Sequence, residues 1–271
     1  MTFLGRKLAI ALPDTALEEH DSLREKTVKL GTIARSCAIY GVDSIIVFRD
    51  PKGRGESRLI TRVLEYLETP QYLRRSLFGF DEALKYAGLL PPLRIPSHKP
   101  KVQVEKLKVG EIREGVTLSD GRVNIGLEKH PYLGTRLGAN KRVTVRIKGT
   151  TPLRGEVVGR EAVHEYWGYA VELKTVDELV EDERFELKVA TSRYGNGIRS
   201  VLGSLRGAFG KANSVLLIFG SPSRGLFEIV GKDLPARVQF VVNLFSEQHV
   251  ETIRTEEAIS AGLYLVNTLS V

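Results

Sequence analysis

Cysteine is almost missing from this chain of 271 residues, with Cys37 its single example. One thiol excludes an internal disulfide and any zinc cluster built on several thiolates. Cys37 falls in the helical run Ile33-Ala34-Arg35-Ser36-Cys37-Ala38, where a packed apolar role is expected. The histidines, His20, His98, His130, His164 and His249, are scattered without ligand spacing, so no metal is expected. No stretch reaches the roughly 18 consecutive apolar residues of a membrane span. Residues 1–13 hold too few apolar positions for a secretory signal. The expected setting is the cytosol, with no membrane partner.

Several catalytic motifs are missing as well. Gly53-Arg54-Gly55-Glu56-Ser57-Arg58 lacks the third glycine of a dinucleotide loop, and Gly195-Asn196-Gly197 has the same defect. Gly207-Ala208-Phe209-Gly210-Lys211-Ala212 has neither the Walker spacing nor a Ser or Thr after the lysine. With no Gly-x-Ser-x-Gly elbow, a hydrolase triad has no anchor.

What the chain does have is positive charge: 40 Lys and Arg against 33 Asp and Glu, a net +7. Such an excess points to an acidic partner, nucleic acid first and an anionic membrane surface second. Residues 1–92 hold 14 basic and 12 acidic residues, residues 93–175 hold 16 and 9, and residues 176–271 hold 10 and 12. The middle segment therefore carries the whole net charge. A proline-rich linker, Leu90-Pro91-Pro92-Leu93-Arg94-Ile95-Pro96, precedes it, and the acidic run from Asp177 to Glu183 follows it.

The middle segment alternates with period two between glycine turns, as in Arg142-Val143-Thr144-Val145-Arg146-Ile147-Lys148, Gly155-Glu156-Val157-Val158-Gly159 and Tyr166-Trp167-Gly168-Tyr169-Ala170-Val171-Glu172-Leu173. This pattern predicts a small β-barrel over residues 93–176. Lys141, Arg142, Arg146 and Lys148 would track phosphates, while Tyr166 and Trp167 would stack on bases of bound RNA. The same residues also suit a plain structural reading, with Trp167 in the core and the cations solvating strands.

The flanks, residues 1–92 and 177–271, read as one discontinuous α/β domain. Strands are predicted at Lys7–Leu12 and Asp43–Phe48, with a helix over residues 21–40 between them. Further helices are expected near residues 57–68 and 70–86. The apolar runs Glu186–Ala190, Val215–Phe219 and Gln239–Asn243 predict a mainly parallel sheet. Each of these runs leads into a polar loop: Thr191-Ser192-Arg193-Tyr194-Gly195, Gly220-Ser221-Pro222-Ser223-Arg224 and Asn243-Leu244-Phe245-Ser246. Ligands bind beyond the carboxyl ends of parallel strands, so the three loops predict a small-molecule pocket. At Thr252-Ile253-Arg254-Thr255-Glu256-Glu257-Ala258, Thr255 suits a helix cap, and the amides of that helix start equally suit a ligand.

The chain resembles the SPOUT RNA methyltransferases, in the branch with an inserted barrel described as RNA uridine methyltransferases. The likeness spans nearly the whole length. It rests on Ile33-Ala34-Arg35 with Cys37-Ala38-Ile39, Pro70-Gln71-Tyr72-Leu73-Arg74, Tyr166-Trp167-Gly168-Tyr169, Thr191-Ser192, Phe219-Gly220, Asn243 and Thr252-Ile253-Arg254-Thr255-Glu256-Glu257-Ala258. The resemblance implies an α/β SPOUT domain with a C-terminal trefoil knot, an inserted OB-like barrel, and a homodimer. It implies S-adenosylmethionine as cofactor, held by Thr191, Ser192, Arg193, Gly220, Asn243, Leu244, Gln248, Thr252, Ile253, Arg254 and Thr255. Relatives carry Pro-Gly-Gln-Gly where this chain has Ser246-Glu247-Gln248-His249, matching only at Gln248.

Methylation of the uracil N3 would require loss of its proton, so a base or a stabilising cation is needed. Arg35 and Arg254 are the candidate cations and Glu247 the candidate base. The altered third loop leaves one alternative open, a non-catalytic RNA-binding or assembly protein that keeps the knotted fold.

Overall fold

The computed structural model describes residues 5–135 and 137–269, in two compact units. The larger unit takes the chain up to Glu65, then Ala83–Pro92, then Tyr169 onward; the smaller takes Tyr66–Glu82 and Leu93–Gly168. In chain order the strands are β1 (Lys7–Pro13), β2 (Ser44–Phe48), β3 (Ile112–Thr117), β4 (Val123–Asn124), β5 (Arg142–Thr150), β6 (Leu153–Val158), β7 (Ala170–Lys174), β8 (Leu187–Gly197), β9 (Ser214–Ile218) and β10 (Phe240–Asn243). The α-helices are α1 (Leu23–Ile39), α2 (Ser57–Glu68), α3 (Gln71–Leu77), α4 (Val176–Val180), α5 (Ile198–Lys211), α6 (Leu226–Ile229), α7 (Leu234–Arg237) and α8 (Thr255–Leu269).

The larger unit is built on a parallel sheet of six strands in the order β10-β8-β9-β1-β2-β7. Its central strands are covered on both faces, as their continuous apolar runs require. Ala9, Ala11, Ile46, Phe48, Leu216 and Ile218 pack on one side with Leu226, Ile229 and Leu234. Ile10, Leu12, Ile45 and Val47 alternate to the other side and are also fully buried. Each such side chain contributes roughly 1.5–3 kcal/mol on burial. Helix α1 starts at Ser22, whose hydroxyl accepts the Glu25 N–H at 3.2 Å.

The smaller unit carries an antiparallel sheet in the order β4-β3-β5-β6. The sheet curls. Tyr132 bridges to Arg122 beside β4 and to Arg154 on β6, so the two edges meet through one residue. Val123, Ile125, Leu133, Val145 and Ile147 fill its interior.

Three sequence-based boundaries shift. The Tyr166–Leu173 run supplies β7, which pairs with β2 in the parallel sheet rather than joining the barrel. The barrel-bearing unit also takes in residues 66–82, so it is not a single insert of residues 93–176. Helix α3 stops at Leu77 instead of continuing to 86, because Gly79 adopts φ +42°, the left-handed conformation that closes helices. No helix among the described residues is long and apolar enough to cross a membrane, and none of their His, Cys, Asp and Glu groups could hold a metal ion.

Candidate functional site

Strand β8 is longer than its sequence suggests because it makes an excursion. Ala190 pairs with Val241 of β10, yet the next β10 residue, Val242, pairs with Asn196. Residues 191–195 of β8 are therefore looped out of its ladder with β10. Gly195 closes the neck of this loop. A Cβ there would lie 2.7 Å from the carbonyl carbon and oxygen of Val241 and 2.8 Å from the Val242 nitrogen, so only glycine fits.

This loop and those after β9 and β10 line one cleft of about 390 Å³ at the carboxyl ends of three neighbouring strands. Hydrogen bonds fix the loops to one another. Asn243 donates from Nδ2 to the Arg193 carbonyl at 3.0 Å and accepts the Phe245 N–H on Oδ1 at 2.9 Å. Thr191 Oγ1 donates to the Ile218 carbonyl at 3.1 Å. Gln248 donates to the carbonyls of Val250 and Glu251 at 2.6 and 2.9 Å, shaping the third loop without the two missing glycines.

The second loop is braced from outside the cleft. Glu18 accepts from the Ser221 hydroxyl at 2.7 Å and from the Ser223 hydroxyl and N–H at 2.5 and 3.2 Å. Burial works against its ionisation, but the Ser223 and Ser221 hydrogen bonds outweigh it and hold the carboxyl below its ordinary range. Arg224 pairs with the fully buried Asp50 at 2.7 Å.

Two kinds of likeness bear on what this cleft serves. A family profile described as "Putative RNA methyltransferase" matches residues 7–266. The chain belongs to this RNA methyltransferase family. An uncharacterized protein of Halobacterium salinarum is 30% identical over 281 residues, covering 94% of this chain and 96% of that one. The 28S rRNA (uridine-N(3))-methyltransferases of Mus musculus and Homo sapiens are 32% and 31% identical. Those alignments cover 94% of this chain and 74% and 76% of the two relatives.

Of the eleven residues assigned to cofactor by sequence, ten line the cleft of this methyltransferase: Thr191, Ser192, Arg193, Gly220, Asn243, Leu244, Gln248, Thr252, Ile253 and Thr255. Arg254 instead lines a separate shallow depression with His20, Lys29 and Glu256. Lys29 is buried there and pairs with Glu19 and, at 3.3 Å, with Glu256. Helix α8 begins at Thr255, so Arg254 precedes it, and the Glu257 carboxylate accepts the Arg254 N–H at 3.0 Å. Thr255 is thus the first helical residue rather than the cap.

The three candidate catalytic residues do not line the cleft. Arg35 is exposed on α1, and Glu247 sits at the surface 3.1 Å from Arg199. The cleft's own ionisable residues are Arg193, Tyr194, Glu228 and Glu251. Glu228 could not be found from loop composition, since it projects from the short helix α6, whereas Ala258 lies in the first turn of α8 within the segment of residues 252–258.

The candidate RNA residues divide. Lys141 and Lys148 are exposed and Arg146 and Tyr166 are partly so. Trp167 is a correction: it is 5% exposed, and its indole N–H donates to Glu114 Oε1 at 2.6 Å. Arg142 is another. Its guanidinium reaches Glu68 at 2.5 Å and Glu114 at 2.6 Å, both carboxylates being buried. Both side chains bind the smaller unit's interior, because two buried carboxylates there require donors.

Proposed function

We propose that this chain is an S-adenosylmethionine-dependent methyltransferase acting on N3 of a uridine in structured RNA such as rRNA or tRNA. The carrying observation is the gathering of three strand-end loops into one cleft lined by ten of the residues that the SPOUT likeness marks for cofactor. The homologous uridine-N(3) enzymes support the choice of atom. The cleft fits the cofactor chemically. Its volume lies in the range of small-molecule sites, Leu244, Ile253 and Ala258 offer apolar contact for an adenine, and Thr191, Ser192, Asn243 and Thr252 offer hydroxyl and amide partners.

The bound cofactor supplies an electrophilic methyl group on a sulfonium. The protein's part is to hold the loops rigid, exclude water and fix the target nitrogen in line. Asn243 ties the first and third loops together, and Thr191 ties the first to β9. Arg193 is the guanidinium of the cleft and takes the charge-stabilising role first given to Arg35 and Arg254, while Glu228 and Glu251 replace Glu247 as the carboxylates available to accept the N3 proton. A target base within a helix would be flipped out or lie in a single-stranded loop.

We also read the fold as a SPOUT domain knotted through its cleft-forming loops, with an OB-like barrel in the smaller unit. The strand order and the curled four-stranded sheet support both. The exposed Val28, Ile39 and Tyr264 on α1 and α8 suit a homodimer face, and the enzyme would act in the cytosol. Calorimetry with S-adenosylmethionine tests the reading, together with mass spectrometry of nucleosides from RNA incubated with protein and cofactor. Folded protein giving no heat and no methyluridine would leave the non-catalytic RNA-binding alternative standing.

A further inference from the structure

We propose that Arg122, Tyr132 and Arg154 form a platform on the smaller unit for an unpaired RNA base and its flanking phosphates. The proposal takes its ligand class, RNA, from the function proposed above.

Tyr132 is held outward by the chain on both sides of it. Pro131 and Leu133 are buried, Leu133 within the barrel interior, so alternation turns Tyr132 to the surface, where it is 48% exposed. Its backbone is clamped: its N–H donates to the Leu153 carbonyl at 3.4 Å, and its carbonyl accepts the Gly155 N–H at 3.0 Å. Adjacent bonds from Val123 to Pro131 and from Leu133 to Gly121, at 3.1 and 3.2 Å, fix the opposite edge. An exposed ring on so rigid a backbone has little ordering entropy left to lose on binding.

The bridges that pin Tyr132 also choose its neighbours. It pairs with Arg122 on one side and with Arg154 on the other. Residues directly opposite in a ladder project from the same face, so one aromatic ring is flanked by two guanidinium groups. Among the described residues the Arg122 side chain pairs with Asp120, at 3.6 Å, and both side chains are 57% exposed, a pairing worth little in water. Arg154 has no carboxylate partner among the described residues. On the neighbouring strand Arg146 and Lys148 share the single carboxylate of Glu156, at 3.3 and 3.6 Å, which leaves one positive charge in excess.

An exposed aromatic between cations suits a nucleobase stacked on the ring with phosphates at the guanidiniums. Duplex RNA offers no free base face, so the platform selects single strands.

The test uses the full chain with a fluorescein-labelled single-stranded RNA of about 12 nucleotides, and a duplex of the same length, read by anisotropy. Tyr132→Ala should weaken single-strand binding roughly 5- to 150-fold. Tyr132→Phe should keep it, and Tyr132→Leu, which keeps apolar bulk without the π-face, should lose it. Arg154→Gln should lower the slope of log affinity against log salt by about 0.7. Duplex affinity should barely respond to Tyr132→Ala. Equal loss on both probes, no loss in Tyr132→Ala or in Tyr132→Leu, or no binding by the wild type would each overturn the platform. S-adenosylmethionine calorimetry on the same proteins separates the two readings. Normal heat with unaltered RNA binding removes the platform alone, and absent heat in the wild type removes the methyltransferase reading alone.

Discussion

Replacing Arg142 with methionine tests whether the smaller unit is organised around a buried charge cluster. Glu68 and Glu114 are 3% and 2% exposed, and Arg142 bonds both, through Nη1 at 2.5 Å and Nε at 2.6 Å. Glu114 Oε1 accepts further from Thr144 and Trp167, each at 2.6 Å, and Glu68 Oε1 from Arg160 at 3.2 Å. Without Arg142 the two carboxylates keep their burial and lose their shared cation. Breaking a buried pair costs about 3–5 kcal/mol. Arg142 is itself a quarter exposed and Arg160 remains, so about 3 kcal/mol is expected. That is about 150-fold in the unfolding equilibrium, and a large share of the roughly 5–15 kcal/mol that holds a typical domain.

Urea unfolding read by fluorescence suits the measurement, because Trp167 is the chain's only tryptophan and sits in the cluster. The triple variant Glu68→Gln, Glu114→Gln, Arg142→Met should recover part of the loss, since neither buried carboxylate then carries an unpaired charge. The pH dependence has a definite sign. Burial already pushes Glu68 above its ordinary value against the pull of Arg142. Removing the guanidinium raises it further, so the folded variant holds a proton that the unfolded chain has released. Its stability then rises on acidification, and the deficit against wild type narrows as the pH falls toward the ordinary carboxylate value. A deficit under about 1 kcal/mol, or a triple variant no better than the single, would refute the reasoning.

Two further perturbations address the cleft. Glu18→Ala removes three hydrogen bonds from the Ser221–Ser223 turn and should weaken S-adenosylmethionine binding by calorimetry, with Glu18→Gln retaining more affinity. The Glu18 carboxyl is held low, so in the wild type its bracing is complete above its ordinary value and fades as pH falls through the lowered one; affinity indifferent to both changes would remove the role. Gly195→Ala places a Cβ 2.7 Å from the Val241 backbone, which cannot yield as a flexible side chain would. It should cost about 1–3 kcal/mol in thermal unfolding and lower cofactor affinity too, whereas wild-type melting and binding would show that the neck is slack.

Legibility from sequence followed the physics of each segment. Strands β1, β2 and β9 stand out because strands covered on both faces need unbroken apolar runs. The β7 segment reads as a barrel strand because it lies at the edge of the parallel sheet, only partly buried, and its sequence alternates as a barrel strand does. The cleft loops were readable since they are contiguous in sequence. Arg142 and Trp167 were not. Their fate depends on Glu68, 74 residues before Arg142, and Glu114, 53 residues before Trp167, and residue type alone does not distinguish an arginine neutralised in the interior from one facing solvent. Arg35, Arg254 and Glu247 likewise lie outside the cleft lining, although Gln248, next to Glu247, belongs to it.

Burial of Arg142 does not weaken the case for a polyanion-binding unit. Residues 66–82 and 93–168 together hold 17 basic and 11 acidic residues, a net +6, leaving 23 and 22, or +1, for the rest of the chain. Within the smaller unit the buried Arg113 and the quarter-exposed Arg142 match in number two buried carboxylates, Glu68 and Glu114. These four are neutral as a group, so the +6 rests on the unit's other residues. Burying matched charges removes specific arginines from the binding surface while leaving its field intact. That field raises the local concentration of any polyanion but does not select one. Selection then rests on geometry, on which exposed ring stands beside which exposed cation. Tyr132 between Arg122 and Arg154 meets that requirement, whereas Trp167, spent on Glu114, cannot.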